Sequence, residues 1–183
     1  MTGRFDGTLA GMYEDLLPLL EAAHHPPEDP LEGASGDEIR ELESRTGLRF
    51  PDSLAAWLRV CRGSAGGEGG IFGVGNQRAF LDIDTVLELF PEWRESGWIP
   101  IAGDGCGNYY VLITDRPDPP VGFIETISSQ TELDYITATS LHIFLREMLL
   151  NAATATGWPF DRQYVIEVDP ELLDVSPNPF DVD

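Results

Sequence analysis

The residue types most suggestive of chemistry lie in one short stretch, Gly103-Asp-Gly-Cys-Gly-Asn108, between two apolar runs. Glycines at this density suit phosphate binding, but a phosphate loop opens a helix, because the helix N-terminus holds the phosphates. The residues that follow, 109–114 (YYVLIT), are strand-like instead. A calcium loop needs several oxygen ligands and a late glutamate, and this stretch offers only Asp104 and Asn108. The context therefore argues against a phosphate or calcium site.

A nucleophilic role for Cys106 requires a base beside it. The candidates are the three histidines of the chain, His24, His25 and His142, and nothing in the sequence places one there. We therefore predict no catalytic, cofactor-binding or metal-ligating residue. The stretch is interpreted as a tight hairpin connection, in which glycines supply positive φ angles and polar side chains bond locally. The residues concerned are Gly103, Gly105 and Gly107, with Asp104 and Asn108.

A second acidic pattern, Asp82-x-Asp84, occurs in metal-dependent sugar transferases, which are larger enzymes. Asp84 is more simply interpreted as the N-cap of a short helix over residues 85–90, because aspartate is a favoured cap. A small hydrolase or sugar-modifying enzyme stays an alternative, but it needs a clustered acid and base or a nucleophile set. The sequence shows no such cluster.

The composition indicates one acidic, globular unit. The chain has 183 residues, of which 42% are hydrophobic, and its formal charge is −21. That charge argues against binding to nucleic acid or to anionic membrane surfaces, because such binding requires a basic face on the protein. It favours a basic binding partner or high solubility. There are two cysteines, no signal-peptide pattern and no apolar run long enough to span a membrane. We therefore expect a cytoplasmic protein with reduced thiols.

Hydrophobic periodicity and cap signals indicate the elements that must position these residues. Helices are predicted over 8–23 with a break at Pro18, from a Ser35–Glu38 capping box to Gly47, from Pro51 to Gly63, over 85–90 and over 139–151. The third helix carries a buried stripe of Leu54, Trp57, Leu58 and Cys61. Strands are predicted over 98–102, 109–114, 121–124 and 163–168, with a short one over 71–74 inside a glycine-rich loop.

Helices, then strands, then a helix indicate an α+β fold with a mostly antiparallel sheet packed against helices. We divide the chain into an N-terminal helical extension and linker (1–36), a central domain (37–156) and an acidic C-terminal strand and tail (157–183).

Four segments in this order resemble the SUKH superfamily. The family's first helix motif matches Ile39, Leu42, Glu43 and Gly47, and its second matches Phe50, Pro51, Leu54 and Trp57. Its hairpin motif matches Asp104, Gly105, Gly107 and Asn108, and its closing helix matches Phe144 and Leu145. The resemblance covers roughly residues 37–150. Residues 61–64 (CRGS) replace the usual Asn-Gly after the second helix, and Asn108 stands where aspartate is common.

The resemblance implies a single SUKH-like domain in a group that includes fungal cell-wall regulators and many bacterial immunity proteins. It therefore implies a non-enzymatic protein that binds and occludes a cognate toxin, for which a basic nuclease is one candidate. A regulatory or scaffold module of the same fold is the alternative. The partner-binding candidates include Glu68, Asp82, Asp84, Asp104 and Asn108, on a concave face expected from the 63–76 loop, the 82–84 turn and the hairpin. Trp93 and Trp98 are interpreted either as residues of the core and its rim or as an exposed aromatic anchor for a partner. The structural candidates are Gly47, Pro51, Trp57, Gly103, Gly105, Gly107 and Phe144, and the oligomeric state stays open.

Overall fold

The computed structural model describes residues 11–23, 31–67, 69–76 and 78–181. The helices are α1 Leu17–Ala23, α2 Gly36–Thr46, α3 Asp52–Val60, α4 Ile83–Leu89, α5 Glu92–Ser96, α6 Leu141–Ala153 and α7 Arg162–Val168. The strands are β1 Trp98–Gly103, β2 Tyr109–Ile113, β3 Val121–Ile124 and β4 Tyr135–Ala138. Short 3₁₀ turns cover Glu14–Leu16, Ala79–Leu81 and Pro170–Asp174.

The four strands form one antiparallel sheet in the order β1-β2-β3-β4. This confirms the predicted α+β single domain and the strands predicted over 98–102, 109–114 and 121–124. Irregular segments cover both edges of the sheet. The amide of Phe72 donates to the carbonyl of Ile101 over 2.8 Å outside β1, and the amide of Ile136 donates to the carbonyl of Pro177 over 2.7 Å outside β4. The edge strands therefore present few free backbone groups for pairing with another chain.

The helix caps follow the sequence signals. Ser35 and Glu38 form both bonds of a capping box, and Gly47 ends α2 with a left-handed φ of 74°. Pro51 lies one position before the first helical residue of α3. The predicted stripe of that helix is fully buried, with Trp57 at its centre, and Phe144 of α6 is equally buried in the same core.

The segment before the linker packs on the central domain. Pro18 lies in the first turn of α1, where its missing N–H costs nothing, and a 3₁₀ turn precedes it. The predicted start of this helix, residues 8–10, lies outside the described residues. The ring of Tyr13 meets that of Trp57 edge-on with centroids 5.4 Å apart, and its hydroxyl donates to the carbonyl of Ser53 over 3.1 Å.

The strand predicted over 163–168 is wrong, because this segment forms α7. Asp161 caps the helix by accepting from the amides of Gln163 and Tyr164. Only Val165 of its apolar residues is fully buried. The hydroxyl of Tyr164 donates over 2.8 Å to the carboxylate of Glu147, a fully buried side chain of α6. The short apolar run alone therefore does not identify this segment as a helix, which is capped by Asp161 and bonded to α6 through Tyr164.

Two further differences concern elements with weak local signals. The sequence does not predict β4 or α5, which are short. The described residues 71–74 do not form the expected strand. They make only isolated β-bridges, among them one between Ile71 and Ala102. No helix among the described residues is long and apolar enough to cross a membrane.

Candidate functional site

A cleft of about 430 Å³ opens between the glycine-rich loop (63–76) and the 103–108 hairpin. We call it the glycine cleft, because backbone of Gly69, Gly70, Gly103, Gly105 and Gly107 forms much of its wall. The aromatic residues Phe72, Phe80 and Tyr109 complete the lining, together with Ala65, Arg78, Leu81 and Asn108. The structure therefore brings together two of the three segments expected to share a concave face.

Backbone hydrogen bonds hold the glycine-rich loop against the sheet. The loop closes on itself through both bonds between Ser64 and Ile71, of 2.9 and 2.7 Å. Its far side is bonded to β1, where the amide of Gly103 donates to the carbonyl of Gly70 over 3.1 Å. The amide of Gly73 donates to the carbonyl of Leu81 over 2.8 Å. One wall of the glycine cleft is thus fixed to the core.

The hairpin is held by its own polar side chains, as predicted. The Oδ1 atom of Asp104 accepts from the amides of Cys106 and Asn108 over 2.7 and 2.9 Å, and its Oδ2 accepts from Asn108 Nδ2 over 2.7 Å. Asn108 Oδ1 then accepts from the amide of Thr126, over 3.2 Å, which ties the turn to the end of β3. Both polar side chains therefore shape the hairpin from within.

Two of the three hairpin glycines have the predicted backbone. Gly105 and Gly107 have φ angles of 77° and 99°, which favour glycine. Gly103 does not have a positive φ, because it is the last residue of β1. Close packing requires a small residue there: a Cβ on Gly103 would lie 3.2 Å from the carbonyl oxygen of Gly69.

An exposed aromatic ring stands in the glycine cleft. Phe80 is 61% exposed although it is flanked by buried Leu81. Tyr109 forms the opposite side, and its ring lies 6.0 Å from that of Phe72 and 5.2 Å from that of Phe90. Burial, and to a lesser extent Asp104, raises the pKa of Tyr109, so its phenol stays neutral. The cleft thus offers apolar ring surface, a wall of small glycine residues and an uncharged tyrosine.

The proposed aromatic anchors lie elsewhere. Trp93 is 0% exposed, so the suggestion that it is an exposed anchor is wrong. Its ring stacks on Phe90 with centroids 4.4 Å apart, and its Nε1 donates to the carbonyl of Gln130 over 2.6 Å. Trp98 is half-buried at the start of β1 and packs against the core.

Of the acidic candidates that the structure describes, none lines the glycine cleft. Asp82 turns toward Asn76, whose amide donates to it over 2.9 Å. Asp84 lies in the first turn of α4 and is not its N-cap; it accepts from Arg45 Nη2 over 2.8 Å and so links α4 to α2. Glu68 lies outside the described residues. The bond from Asn76, six positions away, and the bond from Arg45, 39 positions away, hold Asp82 and Asp84 outside the glycine cleft.

Asp82 gives a prediction about stability and pH. Burial raises the pKa of its carboxyl, with the hydrogen bonds from Asn76 opposing the shift. The folded state therefore binds this proton more tightly than the unfolded chain does. Protonated Asp82 favours the folded state below the unfolded pKa of about 3.9. This contribution to stability is lost as the pH rises through the folded pKa. We expect Asp82→Asn, which keeps an acceptor for the Asn76 amide, to raise Tm by about 1–3 °C at pH 7.

Thermal unfolding at pH 7 and pH 3 checks this expectation. The gain should shrink at the lower pH, where wild-type Asp82 is protonated. Glu132→Gln removes the same charge from an exposed loop residue and controls for the general relief of repulsion in an acidic chain. An equal gain from both variants would contradict the argument from burial.

The described residues contain no group of three or more histidine, cysteine, aspartate or glutamate side chains arranged to hold a metal ion. Burial raises the pKa of the Cys61 thiol to about 11, so it is a core thiol. Cys106 is exposed at the hairpin. His142 lies in the first turn of α6, as expected, and its Nε2 contacts Asp15 at 3.0 Å.

Sequence reasoning missed Phe80, the exposed aromatic residue of the glycine cleft. Its only signal is an aromatic residue among polar neighbours in the run Asn76-Gln-Arg-Ala-Phe80. Periodicity did not help, because the ring lies on a three-residue 3₁₀ turn.

Comparisons with known proteins place the chain in a family. A search of curated proteins finds no match. The chain is similar to a protein from Pseudomonas syringae pv. tomato solved by crystallography, with 22% sequence identity, a TM-score of 0.49, and coverage of 59% of this chain and 81% of that chain. The family model for SMI1 / KNR4 (SUKH-1) matches residues 33–147, which is more than half of the sequence. The chain belongs to the SMI1 / KNR4 family (SUKH-1).

Proposed function

We propose that this protein is a bacterial immunity protein that acts in the cytoplasm by binding a cognate toxin and covering its active site. The observation that carries the proposal is the glycine cleft with the exposed ring of Phe80 at its edge. An exposed aromatic ring beside a concave surface is the kind of anchor around which protein interfaces are built. Family membership is consistent with this role, since the resemblance described above implies immunity proteins.

The charge of the chain supports a basic partner. The net charge is −21, and a toxin that acts on nucleic acid carries a basic cleft. Acidic groups outside the anchor speed association and select against acidic partners, whereas the buried anchor sets the rate of dissociation. The mechanism is occlusion, with no chemical step by this chain.

Co-expression tests the proposal directly. This protein is expressed with the toxin-like domain encoded beside its gene, and surviving cells are counted. We expect survival that depends on this protein and a stable complex on purification. A harmless neighbour, or one that kills regardless, would reject the cognate-inhibitor role for that pair and favour a regulatory module of the same fold.

Phe80 gives the sharper prediction for the purified complex. We expect Phe80→Ala to weaken toxin binding about tenfold, because a truncated interface anchor typically costs more than ~1 kcal/mol. The matched control is Leu89→Ala, which removes an apolar side chain that is 64% exposed on α4 and outside the glycine cleft. Calorimetric titration at low and high salt measures both affinities, and wild-type affinity should fall as salt rises. Equal affinity for wild type and Phe80→Ala would remove the glycine cleft from the interface.

A further inference from the structure

A second cleft lies on the other side of the 103–108 hairpin, and we call it the aromatic cleft. Its volume is about 150 Å³. Rings of Tyr110, Phe144, Trp158 and Phe160 line it, with Asp104 at one side. Gly103 borders both clefts, so the hairpin is their common wall.

The aromatic cleft continues into a row of rings across three neighbouring strands. Tyr110 and Phe123 are cross-strand partners with centroids 5.1 Å apart, and Phe123 stacks on Tyr135 at 5.1 Å with an interplanar angle of 20°. Tyr135 meets Phe160 edge-on at 5.8 Å. The strand residues are half-buried and Phe160 is 64% exposed. The row therefore keeps apolar ring surface accessible from solvent.

Carboxylates surround this row. Asp104 lies in the wall of the aromatic cleft, and the side chain of Asp134 accepts from the amide of Glu125 over 2.6 Å at the end of β3. Burial raises the pKa of Tyr135, and its neighbour Tyr110 and the charges of Asp134, Asp104 and Glu125 raise it further. The three carboxylates thus act on one tyrosine hydroxyl. Among the described residues that line the aromatic cleft, Asp104 is charged and no side chain is cationic.

Aromatic surface with carboxylates close by attracts a cation that is itself planar. A guanidinium keeps its charge, is weakly hydrated and stacks on aromatic faces, whereas an ammonium is a compact and strongly hydrated charge. A cavity of about 150 Å³ accepts a planar group the size of benzene. We infer that the aromatic cleft binds an arginine side chain of a basic protein partner. The inference deepens the proposed function, on which it rests for the toxin as the source of that arginine.

A small-molecule probe tests the aromatic cleft without any toxin. The full chain, labelled with ¹⁵N, is titrated with N-acetyl-arginine amide and followed by NMR. The neutral isostere N-acetyl-citrulline amide is the matched control. We expect saturable shifts at the indole N–H of Trp158 and the amide of Gly103 with the arginine compound, and much smaller ones with the citrulline compound. Equal shifts with both compounds, or saturable shifts confined to residues outside the aromatic cleft, would overturn the inference.

Variants locate the binding to named side chains. We expect Phe160→Ala to weaken probe binding about fivefold, the loss expected for one cation–π contact, without unfolding an already exposed position. Glu125→Gln and Asp104→Asn should each lower the affinity for the arginine probe by removing one negative charge. If Asp104→Asn disturbs the hairpin, Glu125→Gln, at an exposed position, is the variant that tests the charge effect. Leu89→Ala leaves probe affinity unchanged. Wild-type affinity in both Phe160→Ala and Glu125→Gln would overturn the assignment.

The probe titrations, combined with the toxin experiments, distinguish a failure of this inference from a failure of the proposed function. Toxin neutralisation by a wild-type protein that shows no saturable shift with the arginine probe would overturn the inference and leave the proposed function intact. Probe binding that depends on Phe160, in a protein that binds no toxin, would support the inference and contradict the proposed function.

Discussion

Replacing Trp93 by alanine is expected to destabilise the protein by about 3–5 kcal/mol, the range for a fully buried tryptophan. The indole is 0% exposed. It stacks on Phe90 at 4.4 Å, meets Tyr109 edge-on at 5.6 Å, and donates a 2.6 Å hydrogen bond to the carbonyl of Gln130. Truncation leaves a cavity between α5 and β2 and an unpaired carbonyl on the loop before β4. Denaturant unfolding followed by circular dichroism measures the loss.

Two further variants make the Trp93 prediction specific. Trp93→Phe keeps most of the apolar surface but removes the donor to Gln130, so we expect a smaller loss of about 1–2 kcal/mol. Leu89→Ala, at an exposed position of the neighbouring helix, should change stability by no more than about 0.5 kcal/mol. A loss below about 1 kcal/mol for Trp93→Ala would show that this aromatic cluster does not hold α5 on the sheet.

Replacing Gly69 by alanine is expected to cost about 3 kcal/mol in stability, near the upper end for overpacking, and to weaken toxin binding at least tenfold. A Cβ on Gly69 would lie 2.3 Å from the carbonyl carbon of Gly103 and 2.4 Å from the amide nitrogen of Gly105. Both neighbours are backbone, so no side chain can rotate away. The loop and the hairpin must separate, which changes the shape of the glycine cleft.

The control for Gly69 lies in the same loop. Gly75 has a φ of 63° and open space around a built Cβ. Gly75→Ala should therefore cost only the backbone strain of about 1 kcal/mol and should leave the glycine cleft unchanged. Thermal unfolding and toxin titration of both variants separate crowding from strain. Equal effects of the two substitutions on toxin binding would contradict the role of loop–hairpin contact in shaping the interface.

Elements with strong local signals were predictable from the sequence. The capping box of Ser35 and Glu38, the left-handed Gly47 and the buried stripe around Trp57 depend on residues three to seven positions apart, so short-range patterns specify them. The hairpin is similar, because Asp104 bonds only to residues up to Asn108. The order of these segments was also sufficient for the resemblance that the family model confirms.

Contacts between residues remote in the chain required the tertiary structure. Asp84 looks like a helix cap in sequence, but its partner is Arg45, 39 positions away. The run at 163–168 looks like a strand, but Asp161 caps it and Tyr164 bonds it to Glu147 as a helix. Neither the Arg45–Asp84 pair nor the Tyr164–Glu147 bond can be inferred from a local window of sequence.

The two clefts show the same division between local sequence and tertiary structure. The sequence by itself determined the hairpin, the strands that flank it and the charge that favours a basic partner. Only the tertiary structure decided that Trp93 is buried while Phe80 is exposed, because burial depends on which elements pack together. The aromatic row likewise needs the register that sets Tyr110 beside Phe123 and Phe123 beside Tyr135. That register arises from pairing across three strands, and the sequence analysis did not predict one of them, β4.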